Sequence, residues 1–269
     1  MFKYSSLHNI TMSEKELKNF FENYLKKNPL FRNKQALQSN YTPKDVPYVL
    51  LNYTETSDDI ITMAHEMGHA VHDLLASNNT IFTFQPPLPL AETASVFGEL
   101  VVTHSLLDKE KNPKIKKHLI AGKLDDIYAT ILRQAYFVLF EKVAHRMIPE
   151  GATLKEISKE YHKNLKEQFG DISVAKDFEN EWLYIPHIFH SPFYCYAYTF
   201  GNLLTLALYQ MYKEQGAVFV PKYLQLLSYG GSENPEKILQ ELGIDINKKE
   251  FWQKGFDVIK EMIDEFKKL

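Results

Sequence analysis

Thr56-Ser57-Asp58-Asp59-Ile60-Ile61-Thr62-Met63-Ala64-His65-Glu66-Met67-Gly68-His69-Ala70-Val71-His72-Asp73-Leu74-Leu75 is the stretch on which the fold turns. It opens with N-cap residues, and its acids fall in the first turn, where the helix dipole favours them. Ile60, Ile61, Ala64, Met67, Gly68, Val71, Leu74 and Leu75 then recur at helical spacing, and the polar tract Ser77-Asn78-Asn79-Thr80 ends the helix. His65 and His69 are four residues apart, so they share a face and both imidazoles can reach one metal ion. Glu66 sits one helical step round, able to reach a water at that metal without ligating it. The H-E-x-x-H pattern points to zinc-assisted hydrolysis.

With 10 histidines and 34 acids in 269 residues, a string of this form with either acid after the first histidine arises by composition alone in about 5% of chains, so its context must carry it. The plainer alternative is a solvated helix with two unrelated histidines. Against it, the segment is apolar enough to be buried. Burying His65, Glu66 and His69 on neighbouring faces costs several kcal/mol unless they are paired or ligated.

A third ligand has to come from another element. The position six residues beyond His69 is Leu75, which excludes the metzincin pattern. His72, one turn past His69, suits a supporting role behind the ligands. Glu92 is the better ligand candidate. It lies in Leu90-Ala91-Glu92-Thr93-Ala94-Ser95, after a turn rich in proline (Pro86, Pro87, Pro89), at the start of an apolar helix. Glu99, two turns further along the same face, is placed to hydrogen-bond a ligating histidine, as zinc ligands usually require. The bland reading of Glu92 is a dipole-favoured acid at a helix start.

A second cluster follows about a hundred residues later, in Ile185-Pro186-His187-Ile188-Phe189-His190-Ser191-Pro192-Phe193-Tyr194-Cys195-Tyr196-Ala197-Tyr198. Half-buried tyrosines bonded to backbone would explain one or two of its members. His and Tyr donors are also what a hydrolase uses to stabilise an oxyanion. At least one of His187 and His190, and one of Tyr194, Tyr196 and Tyr198, are expected to point into the site; spacing does not say which.

These blocks, with the later Leu227-Ser228-Tyr229-Gly230-Gly231-Ser232 and the earlier Tyr48-Val49-Leu50-Leu51-Asn52-Tyr53, resemble the M3 metallopeptidases, and most closely their oligoendopeptidase F-like branch. The resemblance runs in family order from about residue 46 to the C-terminus. It implies a mainly α fold, a multi-helical zincin-type metallopeptidase catalytic domain with a small β element before the H-E-x-x-H helix. It implies one zinc ion per chain held by His65, His69 and Glu92, with Glu66 as general base and a His and a Tyr of the later cluster stabilising the transition state. It also implies short peptides as substrates, cut at internal bonds. Family enzymes carry a long helical half before the motif, whereas 64 residues precede it here. A partner chain or an oligomer is therefore one expectation. A zinc-containing peptide-binding half, or an inactive short form, that needs such a partner is the alternative function, and a zinc deformylase or amidase is the rival enzyme.

Composition narrows the classes further. The net charge is −3 with no basic tail, which argues against nucleic acid. No run approaches the roughly 18 apolar residues of a membrane span, and the N-terminus lacks a signal-peptide core. The single cysteine, Cys195, excludes an internal disulfide and suits a reducing compartment. The expectation is a cytoplasmic protein with an inert, buried thiol.

Helices are expected near 13–27, 91–108, 114–147, 153–168, 192–213, 217–228, 235–242 and 248–267, with a further short one at 174–182. Tyr48–Tyr53 is the clear strand. As an edge beside the cleft it would offer Tyr48, Leu50 and Asn52 to an extended peptide; a simple packing strand is the alternative. One domain over 1–269 is the economical organisation, with 1–45 an extension and 46–269 the catalytic region.

Overall fold

A computed structural model describes residues 37–269, so the helix expected near 13–27 lies outside the described residues. The motif helix α1 (Ser57–Ala76) begins with a reciprocal capping box. The Thr56 hydroxyl accepts from the Asp59 N–H, and the Asp59 carboxylate accepts from the Thr56 N–H at 2.8 Å.

Ahead of α1 lies a two-stranded antiparallel ribbon, β1 (Leu37–Ser39) and β2 (Tyr48–Leu50), with Gln38 opposite Val49. The expected strand is thus shorter, ending at Leu50, and its partner comes from the polar stretch in which no strand was read. Two three-residue strands are not stable alone. Here β1 packs on α1, and the Gln38 amide donates to the Asp73 carboxylate at 2.5 Å.

Pro87 and Pro89 set up the short helix α2 (Leu88–Ala91), and Glu92 is the hinge between it and α3 (Thr93–Lys109). Helices α1 and α3 cross backbone to backbone. A β-carbon at Gly68 would lie 2.5 Å from the Ala94 carbonyl oxygen, and one at Gly98 would lie 2.9 Å from that of Ala64.

The long helix expected over 114–147 is α4 (Pro113–Ile127) and α5 (Arg133–Met147), joined by a π-helical turn over Tyr128–Leu132. After the break at Gly151 comes α6 (Leu154–Phe169), with a second capping box from Thr153 and Glu156. The short helix expected near 174–182 is a 3-10 segment, Lys176–Tyr184, followed by α7 (Pro186–His190). A turn then delays α8 (Tyr196–Gln215), so the helix expected from residue 192 starts four residues later. In that turn Phe193 adopts a φ of 62°. The remaining helices are α9 (Val220–Ser228), α10 (Pro235–Glu241) and α11 (Lys249–Lys268).

Helix α8 is the central post. Leu204, Leu206, Ala207 and Leu208 are fully buried, and it packs on α2, α3, α5 and α11. A second core joins α5 and α6 through Phe140, Tyr161 and Trp182, with Cys195 sealed beneath them. The mainly α expectation is borne out. No helix of the described residues is long and apolar enough to cross a membrane.

One expectation about α1 is corrected. The segment is apolar enough for burial to be expected, yet Met67, Val71 and Leu74 are each more than two-fifths exposed, while Glu66, His72 and Asp73 are buried. The polar face is turned inward because it meets α3, β1 and the cavity beside them.

Candidate metal centre

The Nε2 atoms of His65 and His69 lie 3.1 Å apart. Glu92 Oε2 is 3.4 Å from the first and 3.3 Å from the second. Zinc bonded at about 2.0–2.1 Å to each of three tetrahedral ligands needs edges of about 3.3–3.4 Å between them. The three atoms thus form one face of such a tetrahedron. Among the described residues this is the group of His, Cys, Asp or Glu side chains that brings three donor atoms to one point.

Each member is delivered by local structure. One turn of α1 separates the two histidines, and the close crossing at Gly68 brings the start of α3 onto them. Glu92 stands at the N-cap of α3, but its carboxylate caps no backbone N–H. It instead accepts the Ser95 hydroxyl at 2.6 Å and faces the histidines. On the far side of His65, Nδ1 lies 2.5 Å from Glu99 Oε1. A proton on Nδ1 leaves the Nε2 lone pair free for the shared point.

The electrostatics agree with a cation site. Burial acts to raise the Glu92 carboxyl, but the hydrogen bond and charge of His69, with Ser95 and His65, hold it at about 2. Burial pushes the His65 imidazolium down, and Glu99, Glu92 and Glu66 more than reverse this. Glu66 differs from both. It is 8% exposed, and burial raises its carboxyl despite His65, His69 and the Gln38 N–H acting to lower it. A buried carboxyl with a raised pKa is suited to exchanging a proton.

A cavity of about 420 Å³ opens beside Glu66 and His69, lined also by Gln38, His72, Asp73 and Gln85. His72 is buried, and its Nδ1 has no hydrogen-bond partner among the described residues. Burial and the charge of His69 depress it to about 4, so it is neutral at pH 7. Tyr48, Leu50 and Asn52 do not line this cavity. The strand that reaches it is β1, through Gln38, because β1 is the strand whose side chain is tied to α1.

Of the later cluster, three rings come together. His187 stacks on Tyr194 at 5.4 Å, and Tyr198 meets both edge-on at 5.8 and 5.3 Å. The Tyr198 hydroxyl is 3.4 Å from His187 Nε2. Burial, then Tyr194, push the Tyr198 phenol up to about 12, and the charge of Glu92 adds to this. Tyr198 therefore stays a proton donor at neutral pH, within electrostatic reach of the Glu92 carboxylate. His190 and Tyr196 are exposed and share none of these ring contacts.

Sequence reasoning missed Gln38, Asp73 and Lys123. Asp73 stands four residues after His69, the same spacing that revealed the histidine pair, and that signal was available. Gln38 and Lys123 carry no local signal.

The family model for peptidase family M3 matches residues 12–258. The chain belongs to peptidase family M3. The family resemblance read from the motif blocks is thereby borne out. A relative, the oligoendopeptidase F homolog of Borreliella burgdorferi, is 34% identical over 228 residues, covering 83% of this chain and 38% of that protein. The crystal structure of oligoendopeptidase-F from Enterococcus faecium is 26% identical with a TM-score of 0.68, over 78% of this chain and 39% of the other. A crystal structure from Chlamydophila abortus is 32% identical with a TM-score of 0.78, over 87% and 40%. This M3 chain thus spans about two-fifths of the length of the relatives it matches.

Proposed function

We propose that this chain carries the catalytic centre of a zinc-dependent oligopeptidase that hydrolyses internal bonds of short peptides. The observation that supports it best is the triangle of His65, His69 and Glu92 donor atoms, edged at 3.1 to 3.4 Å, with Glu66 buried beside it.

His65, His69 and Glu92 would hold the ion. Zinc in such a site supplies Lewis acidity, lowering the pKa of water and polarising a carbonyl. Glu66 takes a proton from the attacking water on its carboxylate and passes it to the leaving amide nitrogen, the role its raised pKa suits. Tyr198, protonated at neutral pH, donates to the carbonyl oxygen as it gains charge, and His187 at 3.4 Å orients that hydroxyl. His72 lines the cavity as a neutral side chain and leaves the ligands' charge balance unchanged. The cavity at Gln38, Asp73 and Gln85 receives a substrate side chain next to the scissile bond.

The test is zinc content per chain, followed by incubation with a mixed peptide library with and without chelator, read by mass spectrometry. Stoichiometric zinc and internal cuts that the chelator abolishes are expected. Cleavage that survives full removal of the metal would overturn the reading.

A further inference from the structure

Lys123 is an unusual residue for its place. It lies in the middle of α4, 5% exposed, with Leu119, Ile120 and Ile127 of the same helix in the core. A buried ammonium is unfavourable unless it is paired and hydrogen-bonded. Its partner i,i+3 on the helix, Asp126 at 2.7 Å, has a side chain 45% exposed. A pair of that kind forms readily at the surface and gives the lysine no reason to turn inward. The inward partner is Glu99 Oε2 at 2.5 Å, and the other oxygen of that carboxylate is 2.5 Å from His65 Nδ1. A single chain of contacts therefore runs from the surface to a ligand: Asp126, Lys123, Glu99, His65. Although burial acts to lower it, the two carboxylates raise the Lys123 pKa and keep the ammonium charged.

Glu99 comes from α3, Lys123 from α4 and His65 from α1, so the contacts tie three helices at the centre. A carboxylate held only by one imidazole is free to rotate about its terminal bond. With the ammonium on the opposite oxygen, both are directed, and the imidazole plane is directed with them.

We propose that Lys123 is a positioning residue for the metal centre, orienting the Glu99 carboxylate so that His65 presents Nε2 to zinc. The inference rests on the reading of His65, His69 and Glu92 as the zinc ligands. Loss of groups behind a zinc ligand typically weakens metal affinity about 10–100-fold.

The experiment is a double-mutant cycle on zinc affinity, measured on the whole chain by competition with a chromophoric chelator, alongside the melting temperature of the metal-free protein. Lys123→Met is expected to weaken zinc binding about 10–100-fold in the parent background and to add nothing once Glu99→Gln is present. Lys123→Gln, which keeps an N–H donor, should weaken it less, and it serves in place of Lys123→Met should the latter not fold. Unchanged affinity in a parent that binds zinc overturns the role of Lys123 alone. So does a loss of the same size in the Glu99→Gln background, since the lysine would then act through general stability. A parent that binds no zinc overturns the metal reading and this inference with it.

Discussion

Gly68 lies against the backbone of Ser95: a β-carbon added at Gly68 would stand 2.5 Å from the Ser95 Cα and equally close to the Ala94 carbonyl oxygen. Gly68 is the residue before His69, and Ser95 holds the Glu92 carboxylate through its hydroxyl at 2.6 Å. The missing side chain is therefore part of how the His65 and His69 nitrogens on α1 come within 3.4 Å of Glu92 at the start of α3.

Gly68→Ala tests that link. Backbone cannot yield as a flexible side chain does, so the helices must part. Overpacking of this kind costs about 1–3 kcal/mol. The melting temperature should fall and zinc affinity should fall with it, since the ligand triangle opens. A Gly68→Ala protein that melts lower but binds zinc as tightly as the parent would separate the crossing from the site.

Glu66→Gln separates binding from chemistry. The amide is nearly the same shape and ligates nothing, so zinc content should stay at the parent's level. Chelator-sensitive cleavage should drop by about 10²–10⁴, the contribution of a positioned acid–base group. His69→Ala should lose both metal and cleavage. Parent-like turnover in Glu66→Gln would remove the general base from the mechanism.

Tyr198→Phe addresses the donor. The ring contacts with His187 and Tyr194 survive, and only the hydroxyl goes. Zinc affinity should hold while kcat falls about 10²–10³, with a smaller change in KM, as for loss of one oxyanion donor. Tyr196→Phe, on an exposed ring, should leave both unchanged. If the two variants behave alike, the donor lies elsewhere.

The parts of this protein that were legible in its sequence are those set by neighbours in the chain. The capping box at Thr56 and Asp59 and the His65–His69 spacing need only one helix to be read. The helix expected over 91–108 takes in both Glu92 and Glu99, which stand at the N-cap of α3 and within it, so one assignment carries both. What stayed hidden depends on contacts across the fold. Lys123 pairs with Glu99, 24 residues away, and Phe193 with Glu141, 52 away; neither pairing leaves a local pattern. Strand β1 is three residues long, too short for alternation to register. The apolar content of α1 does not reveal which of its faces turns inward, because the interior beside α1 is a polar site.

Glu141 makes the last prediction, one of pH dependence. It is fully buried in α5, and one carboxylate oxygen accepts the Phe193 N–H at 2.8 Å while the other has no partner among the described residues. That bond holds the turn before α8, where Phe193 takes a left-handed φ of 62° that a bulky side chain disfavours. Burial raises the Glu141 carboxyl, and the Phe193 N–H with His145 and His187 only partly offset it. A carboxyl raised on folding adds stability in full below its unfolded value of 4.5, and that stability is lost as the pH rises through the folded value. Glu141→Gln keeps an acceptor for Phe193 and removes the buried charge. It should melt above the parent at pH 7, and the gap should close as the pH falls toward 4.5. Glu141→Ala removes the acceptor and should be destabilised by about 1–3 kcal/mol at both pH values. A gap for Glu141→Gln that is constant across the range would mean the carboxyl ionises in the fold as freely as it does unfolded.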